Sequence, residues 1–208
     1  MLWQDVKARN KPSPDHEAVI VFYATREGHT RRIADAIARG LARFGLQTSI
    51  VDLGRPASED LDRYDAVVLA SPVHMGRYAP EAVAFVKAHR SELDRMTTAF
   101  VSVTLSEAGV ERPDTTPEEH AKFVAYVKSV NERFFKQTGW HPARVKNVAG
   151  ALAYTRYNFL IRFIMKGIAK QSGGSTDTSR DHDYTDWVAL DRFVAALAED
   201  IVGGPSAQ

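Results

Sequence analysis

The stretch AVIVFYATREGHT, residues 18–30, decides the fold. Its first half, residues 18–24, is a continuous apolar run, the pattern of a short strand buried on both faces. Its second half carries two threonines around a glycine and leads straight into a periodic segment. Over residues 30–44, Ile33, Ile37, Leu41 and Phe44 fall on one helical stripe. Gly45 ends the stripe as a left-handed cap residue does. A buried strand, a hydroxyl-bearing turn and an amphipathic helix make the opening unit of a layered α/β domain.

The alternation continues outward from this unit. Residues 48–53 read as a second strand, and AVVLA at 66–70 as a third. Residues 80–89 read as a helix anchored by Val83, Phe85 and Val86, and AFVSVTL at 99–105 as a fourth strand. Thr116 then has the signature of a helix cap, with Pro117 at the first helical position and Glu119 closing a capping box. That helix is expected to run to Thr138 and stop at Gly139, with Phe123, Val127, Val130 and Phe134 inward. Residues 145–153 give a fifth strand, and 186–201 a last helix with Trp187, Leu190, Phe193, Val194 and Leu197 on its apolar face. Five buried strands alternating with helices predict an α/β fold with a doubly wound parallel sheet in the order 2-1-3-4-5. One domain is expected over 18–202, after a flexible leader at 1–17 and before a tail at 203–208. Residues 154–184 are too long for an ordinary connection, so a functional insertion is expected between the fifth strand and the last helix.

Composition narrows the function. The chain has 208 residues, 44% hydrophobic and 25% charged, ordinary values for one globular domain. It contains 0 cysteines, which excludes disulfides, thiolate zinc sites, cysteine-ligated clusters and thiol redox catalysis. A net charge of +1 supplies no global field for nucleic acid. No apolar run reaches the roughly 20 residues of a spanning helix. The simplest compartment is the cytoplasm.

In a doubly wound sheet, ligands sit beyond the carboxyl ends of the strands, where strands one and three part. The first loop there is Thr25, Arg26, Glu27, Gly28, His29 and Thr30. Its hydroxyls, its glycine and the helix N-terminus behind it suit a terminal monophosphate. It lacks both the nucleoside-triphosphate and the dinucleotide glycine patterns. The second loop, after strand three, carries Pro72, Val73, His74, Met75, Gly76, Arg77 and Tyr78. Tyr78 is expected to stack on a planar heteroaromatic ring.

These two loops, T-x-x-G-x-T and S-P-V-H-M-G-R-Y, resemble those of the flavodoxin-like FMN proteins. The resemblance implies that the first loop holds the FMN phosphate, that the second lies against the flavin ring, and that a third loop, beginning at Thr104, Leu105 and Ser106, closes the site. Glu27 departs from the family, which typically has a hydroxyl residue there.

The insertion sharpens the resemblance. YTRYNFLIRFIMKGIAK at 154–170 reads as a basic amphipathic helix, with Arg156, Arg162, Lys166 and Lys170 beside its apolar stripe. It is followed by SGGSTDT at 172–178 and YTDW at 184–187. Asp177, Asp181, His182 and Asp183 lack metal-ligand spacing, so a solvated loop and no metal site are expected. In this order the motifs resemble the menaquinone-dependent protoporphyrinogen IX dehydrogenases of bacterial haem synthesis. The 106–113 segment does not follow that family closely. The resemblance implies FMN-dependent oxidation of protoporphyrinogen IX, with electrons passed to menaquinone or another quinone. Residues 154–170 would then touch the inner face of the cell membrane. Arg77, Arg112, Arg156, Arg162 and Lys166 are candidate partners for porphyrinogen propionates. No general base is obvious in the sequence, and His74 is the nearest candidate. Two alternatives share the loops: an NAD(P)H-dependent FMN quinone reductase, and a non-enzymatic flavodoxin-type electron carrier.

Overall fold

A computed structural model describes residues 18–56, 59–152, 155 and 177–203. Every residue of the first strand, β1 (Ala18–Tyr23), is buried. Its side chains alternate between two cores, as a strand's period of two requires. Val19, Val21 and Tyr23 face one, and Ile20 and Phe22 the other. The chain continues through α1 (His29–Arg43) and β2 (Gln47–Asp52) into β3 (Ala66–His74), β4 (Arg77–Tyr78) and α2 (Pro80–Ala88). Next come the short α3 (Arg90–Leu93), β5 (Thr97–Thr104), α4 (Leu105–Glu111), α5 (Pro117–Thr138) and β6 (Arg144–Ala149). The short strands β7 (Ala151–Leu152) and β8 (His182–Asp183) pair with each other, and α6 (Trp187–Val202) follows.

The parallel strands run in the order β2-β1-β3-β5-β6, with β4 folded back antiparallel on β3. Without that hairpin return the path is the expected 2-1-3-4-5. Helices α1 and α6 cover one face, where Ile33, Ile37 and Leu41 meet Leu190, Val194 and Leu197. Helices α2 and α5 cover the other, around an aromatic cluster. There Phe100 stacks on Phe134 at 4.8 Å and 11°, with Trp140 fully buried beside them.

Local signals explain the boundaries. Thr116 and Glu119 form the reciprocal capping box, and Gly139 stops α5 with φ 71°. Asp186 caps α6 by accepting from the Ala189 N–H at 2.8 Å. The structure departs from expectation in four places. Strand β3 runs on to His74, because its last residues pair with β4 in a hairpin. Helix α4 begins directly after β5, where a loop was expected. The Thr104 side chain caps it by accepting from the Ser106 N–H at 3.3 Å. The fifth strand ends at Ala149, and Ala151–Leu152 turns away to pair with β8. His182 and Asp183 therefore lie in a strand, not a solvated loop. The leader at 1–17 and nearly all of 154–176 lie outside the described residues. Among those described, no helix is long and apolar enough to cross a membrane.

Helix α1 approaches α6 closely at Gly40. A Cβ there would sit 2.7 Å from Val194 Cγ1, inside contact distance of a stiff, buried, β-branched side chain. Gly40→Ala is therefore expected to lower stability by about 1–2 kcal/mol, despite alanine's better helix propensity. Urea denaturation checks this. The double variant with Val194→Ala should lose less than the two single losses added together.

Candidate cofactor and active site

The open end of the sheet lies where β1 and β3 part. The Ala24 N–H still donates to the Ala70 carbonyl at 3.0 Å, so the two strand ends stay side by side. Beyond Ala24 the first loop turns at Gly28, whose φ of 88° is left-handed and suits a residue without Cβ. The Thr25 hydroxyl accepts from the Gly28 N–H at 3.0 Å and sets the turn. Helix α1 starts at once. No side chain caps its N-terminus, and its first turn holds no acidic residue. Its leading N–H groups are left for an external acceptor. Thr30, in the same turn, is 2% exposed. An uncapped first turn that carries a hydroxyl side chain fits a phosphate group.

The second loop is a hairpin. Val73 pairs with Tyr78 and His74 with Arg77, leaving Met75 and Gly76 as a two-residue turn with φ of 49° and 72°. Met75 is fully exposed at the tip. The Arg133 guanidinium donates to the Gly76 carbonyl at 3.1 Å and braces the turn from α5. His74 faces the first loop, with Nε2 3.8 Å from Glu27 Oε2. That nitrogen is buried and has no hydrogen-bond partner. Burial pushes the His74 pKa down, and the nearby Glu27 carboxylate opposes the shift.

Tyr78 is a correction. Its ring is 6% exposed and packs edge-on against Phe100 and Phe134, so it offers no face to a planar ligand. Its hydroxyl donates to Asn131 Oδ1, and Ser102 lies 2.7 Å away and donates to it. The Asn131 amide then donates to Asn147 Oδ1 at 2.9 Å. Burial pushes the Tyr78 pKa well above its ordinary value, so the phenol stays protonated and serves the core.

Helix α4 forms the third wall, carrying Leu105 and Ser106 after Thr104. It also holds two carboxyls: Glu107, which the sequence places only at the start of the third loop, and Glu111, which the sequence reading did not single out. Glu107 is 8% exposed, and burial raises its pKa against the pull of Lys146. It lines a cleft of about 380 Å³ between α4, α5 and β6. Glu111, one turn on, is pushed up to about 7, by burial first and then by Glu107 and Asp186. Because this stretch reads as a loop in the sequence, neither the shared helix nor the burial of the two carboxyls was legible there.

Of the predicted docking cations, Arg77 is exposed on the hairpin. Arg112 is bound to Asp114, its Nε donating at 2.8 Å. Arg156, Arg162, Lys166 and Lys170 lie outside the described residues. The YTDW motif lies against the first loop. His29 Nε2 is 2.8 Å from the Thr185 hydroxyl, Asp183 pairs with Arg32 at 3.2 Å, and the Arg32 guanidinium sits 5.5 Å from the Trp187 ring centre. Asp181 accepts from the Thr155 N–H at 2.8 Å. The acidic residues of this stretch are thus engaged as caps and ion-pair partners. Among the described residues, no cluster of histidines and carboxylates could hold a metal ion.

The flavodoxin domain profile matches residues 20–179. Flavodoxin 1 from Bacillus cereus superposes with a TM-score of 0.50 at 14% identity, covering 88% of this chain and 98% of that one. Rubredoxin oxygen:oxidoreductase from Desulfovibrio gigas gives 0.52 at 13% identity, over 96% of this chain and 39% of that larger one. Fold and site together define an FMN-binding flavodoxin-domain oxidoreductase. Two relatives carry the assignment further. Protoporphyrinogen IX dehydrogenase (quinone) of Escherichia coli K12 is 34% identical over 86% of this chain and 93% of its own length. The Leishmania major protein of the same name is 34% identical over 86% of this chain and 74% of its own. The chain belongs to this protoporphyrinogen IX dehydrogenase (quinone) family.

The two α4 carboxyls yield a pH prediction. Glu111 titrates near 7 when folded, against an ordinary 4.5. The folded state therefore holds its proton more tightly than the unfolded chain does. Its contribution to stability is fully present below about pH 4.5 and is lost as pH rises through 7. Glu111→Gln is expected to match the parent in urea midpoint at pH 4 and to exceed it at pH 8. A constant offset at both values would contradict the shift.

Proposed function

We propose that the protein oxidises protoporphyrinogen IX to protoporphyrin IX with FMN as its redox group, and passes the electrons to a quinone in haem biosynthesis. The observation that carries the cofactor half is the Thr25–Thr30 turn, with Gly28 left-handed, the helix without a side-chain cap and no acidic residue in its first turn. The membership of a family whose named relatives carry this activity supports the substrate half.

In this reading Thr25, Arg26, Glu27, Gly28, His29 and Thr30 enclose the phosphate, and α1 supplies N–H groups and dipole charge. The hairpin residues Val73, His74, Met75, Gly76 and Arg77, with Pro72 at their base, form one wall for the ring. Thr104, Leu105 and Ser106 form the other. Bound FMN supplies the two-electron chemistry, while the chain binds, orients and manages protons. The overall change removes six electrons and six protons from the substrate and converts three quinones to three quinols. Met75 offers exposed apolar surface to a large apolar substrate, and Arg77 and Arg26 offer charge to its propionates. His74 Nε2 is the proton-accepting atom beside the crevice, kept neutral by burial, with Glu27 placed to stabilise the imidazolium that forms. Menaquinone is the expected acceptor. The basic stretch 154–170, with Arg156, Arg162, Lys166 and Lys170, is assigned the contact with an anionic membrane surface from which a quinone is reached.

The deciding experiment mixes FMN-loaded protein anaerobically with protoporphyrinogen IX and follows flavin absorbance and porphyrin fluorescence against a protein-free control. Flavin bleaching with matching porphyrin, then turnover on adding menaquinone, is expected. Flavin that stays oxidised in a protein that holds FMN overturns the reading, and steady NAD(P)H oxidation would then point to a quinone reductase. His74→Gln is expected to slow porphyrinogen oxidation by about a hundredfold while FMN stays bound. An unchanged rate removes His74 from the chemistry.

A further inference from the structure

The loop that encloses the phosphate is not held by its own residues alone. The Thr185 hydroxyl lies 2.8 Å from the Ala149 carbonyl oxygen, which only accepts, so the hydroxyl proton is committed there. At 2.8 Å on its other side is His29 Nε2, which must therefore be the donor. This order fixes the imidazole as carrying its hydrogen on Nε2. Burial holds its pKa below the ordinary value, although Asp183 pulls the other way and Arg32 adds to the lowering. His29 is the first residue of α1, directly after the left-handed Gly28. Its side chain thus ties the first turn of that helix to the end of β6.

Four further contacts hold the tie in place. The Thr185 N–H donates to Asp183 Oδ1 at 3.0 Å, and Asp183 Oδ2 pairs with Arg32 at 3.2 Å. The Tyr184 N–H donates to the Gly150 carbonyl at 3.3 Å, so the turn containing Thr185 is anchored to the start of β7. The His29 ring meets Trp187 edge-on at 6.2 Å. Thr185 itself is 8% exposed. A side chain from the far end of the chain therefore reaches the first turn of α1.

We propose that Thr185 is a positioning residue for the cofactor phosphate, acting through His29 to fix the first turn of α1. It touches neither the ring nor the substrate. It sets where the leading N–H groups of α1 point, and because β8 lies just before it, pairing of β7 with β8 also sets phosphate affinity. The inference rests on the phosphate reading of the first loop given above.

The test compares FMN with riboflavin, which lacks only the phosphate, by titrating flavin-free full-length protein and following flavin fluorescence. The parent is expected to prefer FMN. Thr185→Val is expected to weaken FMN binding about tenfold, the size of one lost hydrogen bond, and to leave riboflavin binding within about twofold. Thr185→Ser keeps the hydroxyl and should restore FMN affinity. His29→Phe keeps a flat ring beside Trp187 and removes the donor, so it should repeat the selective loss and covers the case in which Thr185→Val does not fold. Equal weakening of both flavins in the folded variants, or no weakening of either, overturns the positioning role. A parent with no preference for FMN overturns the phosphate reading itself, which keeps the two failures separate.

Discussion

The parallel pairing of β1 with β3 is the constraint on which the rest depends. Parallel neighbours cannot be joined by a tight turn, so both carboxyl ends open at the same edge of the sheet. The register, Val19 against Ala66 through Tyr23 against Ala70, makes β1 stop while β3 continues to His74. The overhang folds back as a hairpin and stands as a wall beside the first loop. Strand β5 ends at Thr104, level with Ala149 of β6, and α4 closes the far side. The crevice is thus a consequence of unequal strand lengths in a sheet buried on both faces, and no separate element has to be built to make it.

Polar groups around this opening fall into two kinds. Those that serve the fold are satisfied internally, as in the chain from Ser102 through Tyr78 and Asn131 to Asn147. Those that border the crevice are left incomplete: the leading N–H groups of α1, which no side chain caps, and His74 Nε2. Leaving buried polar groups unpaired costs about 1–3 kcal/mol each, a cost that a ligand offering the missing partners recovers on binding. Those gaps are the physical signature of a binding site.

Much of this was legible before any coordinates. The α5 boundaries, its capping box and its glycine stop follow from local signals that tertiary packing had no reason to override. The strand order followed from apolar runs and connection lengths. What was not legible depends on contacts across the chain. Tyr78 sits in a loop-like string of residues, yet two backward pairings with β3 turn its ring inward, where Phe100 and Phe134 claim it. Thr104–Ser106 reads as a loop because LSEAGVE has a weak apolar stripe, yet Thr104 caps a helix there and α5 supports it. The raised carboxyls of Glu107 and Glu111 need burial against β6, which spacing alone does not reveal.

The segment after β6 is where this chain departs from the bare flavodoxin plan, and its placement explains how one fold serves different partners. The opening formed by β1, β3 and β5 follows from strand ends that the doubly wound fold itself provides. Discrimination between an electron carrier and an enzyme must come from elements that a carrier lacks. The chain leaves the sheet at Ala149, pairs β7 with β8, and returns through Thr185 onto the first turn of α1. A segment added to a sheet edge with free ends would move independently of the cofactor. Here β8 is paired with β7 and followed by Thr185, so displacing β8 displaces Thr185 and, with it, the first turn of α1. The geometry therefore couples the pairing of these two short strands to the turn that opens α1.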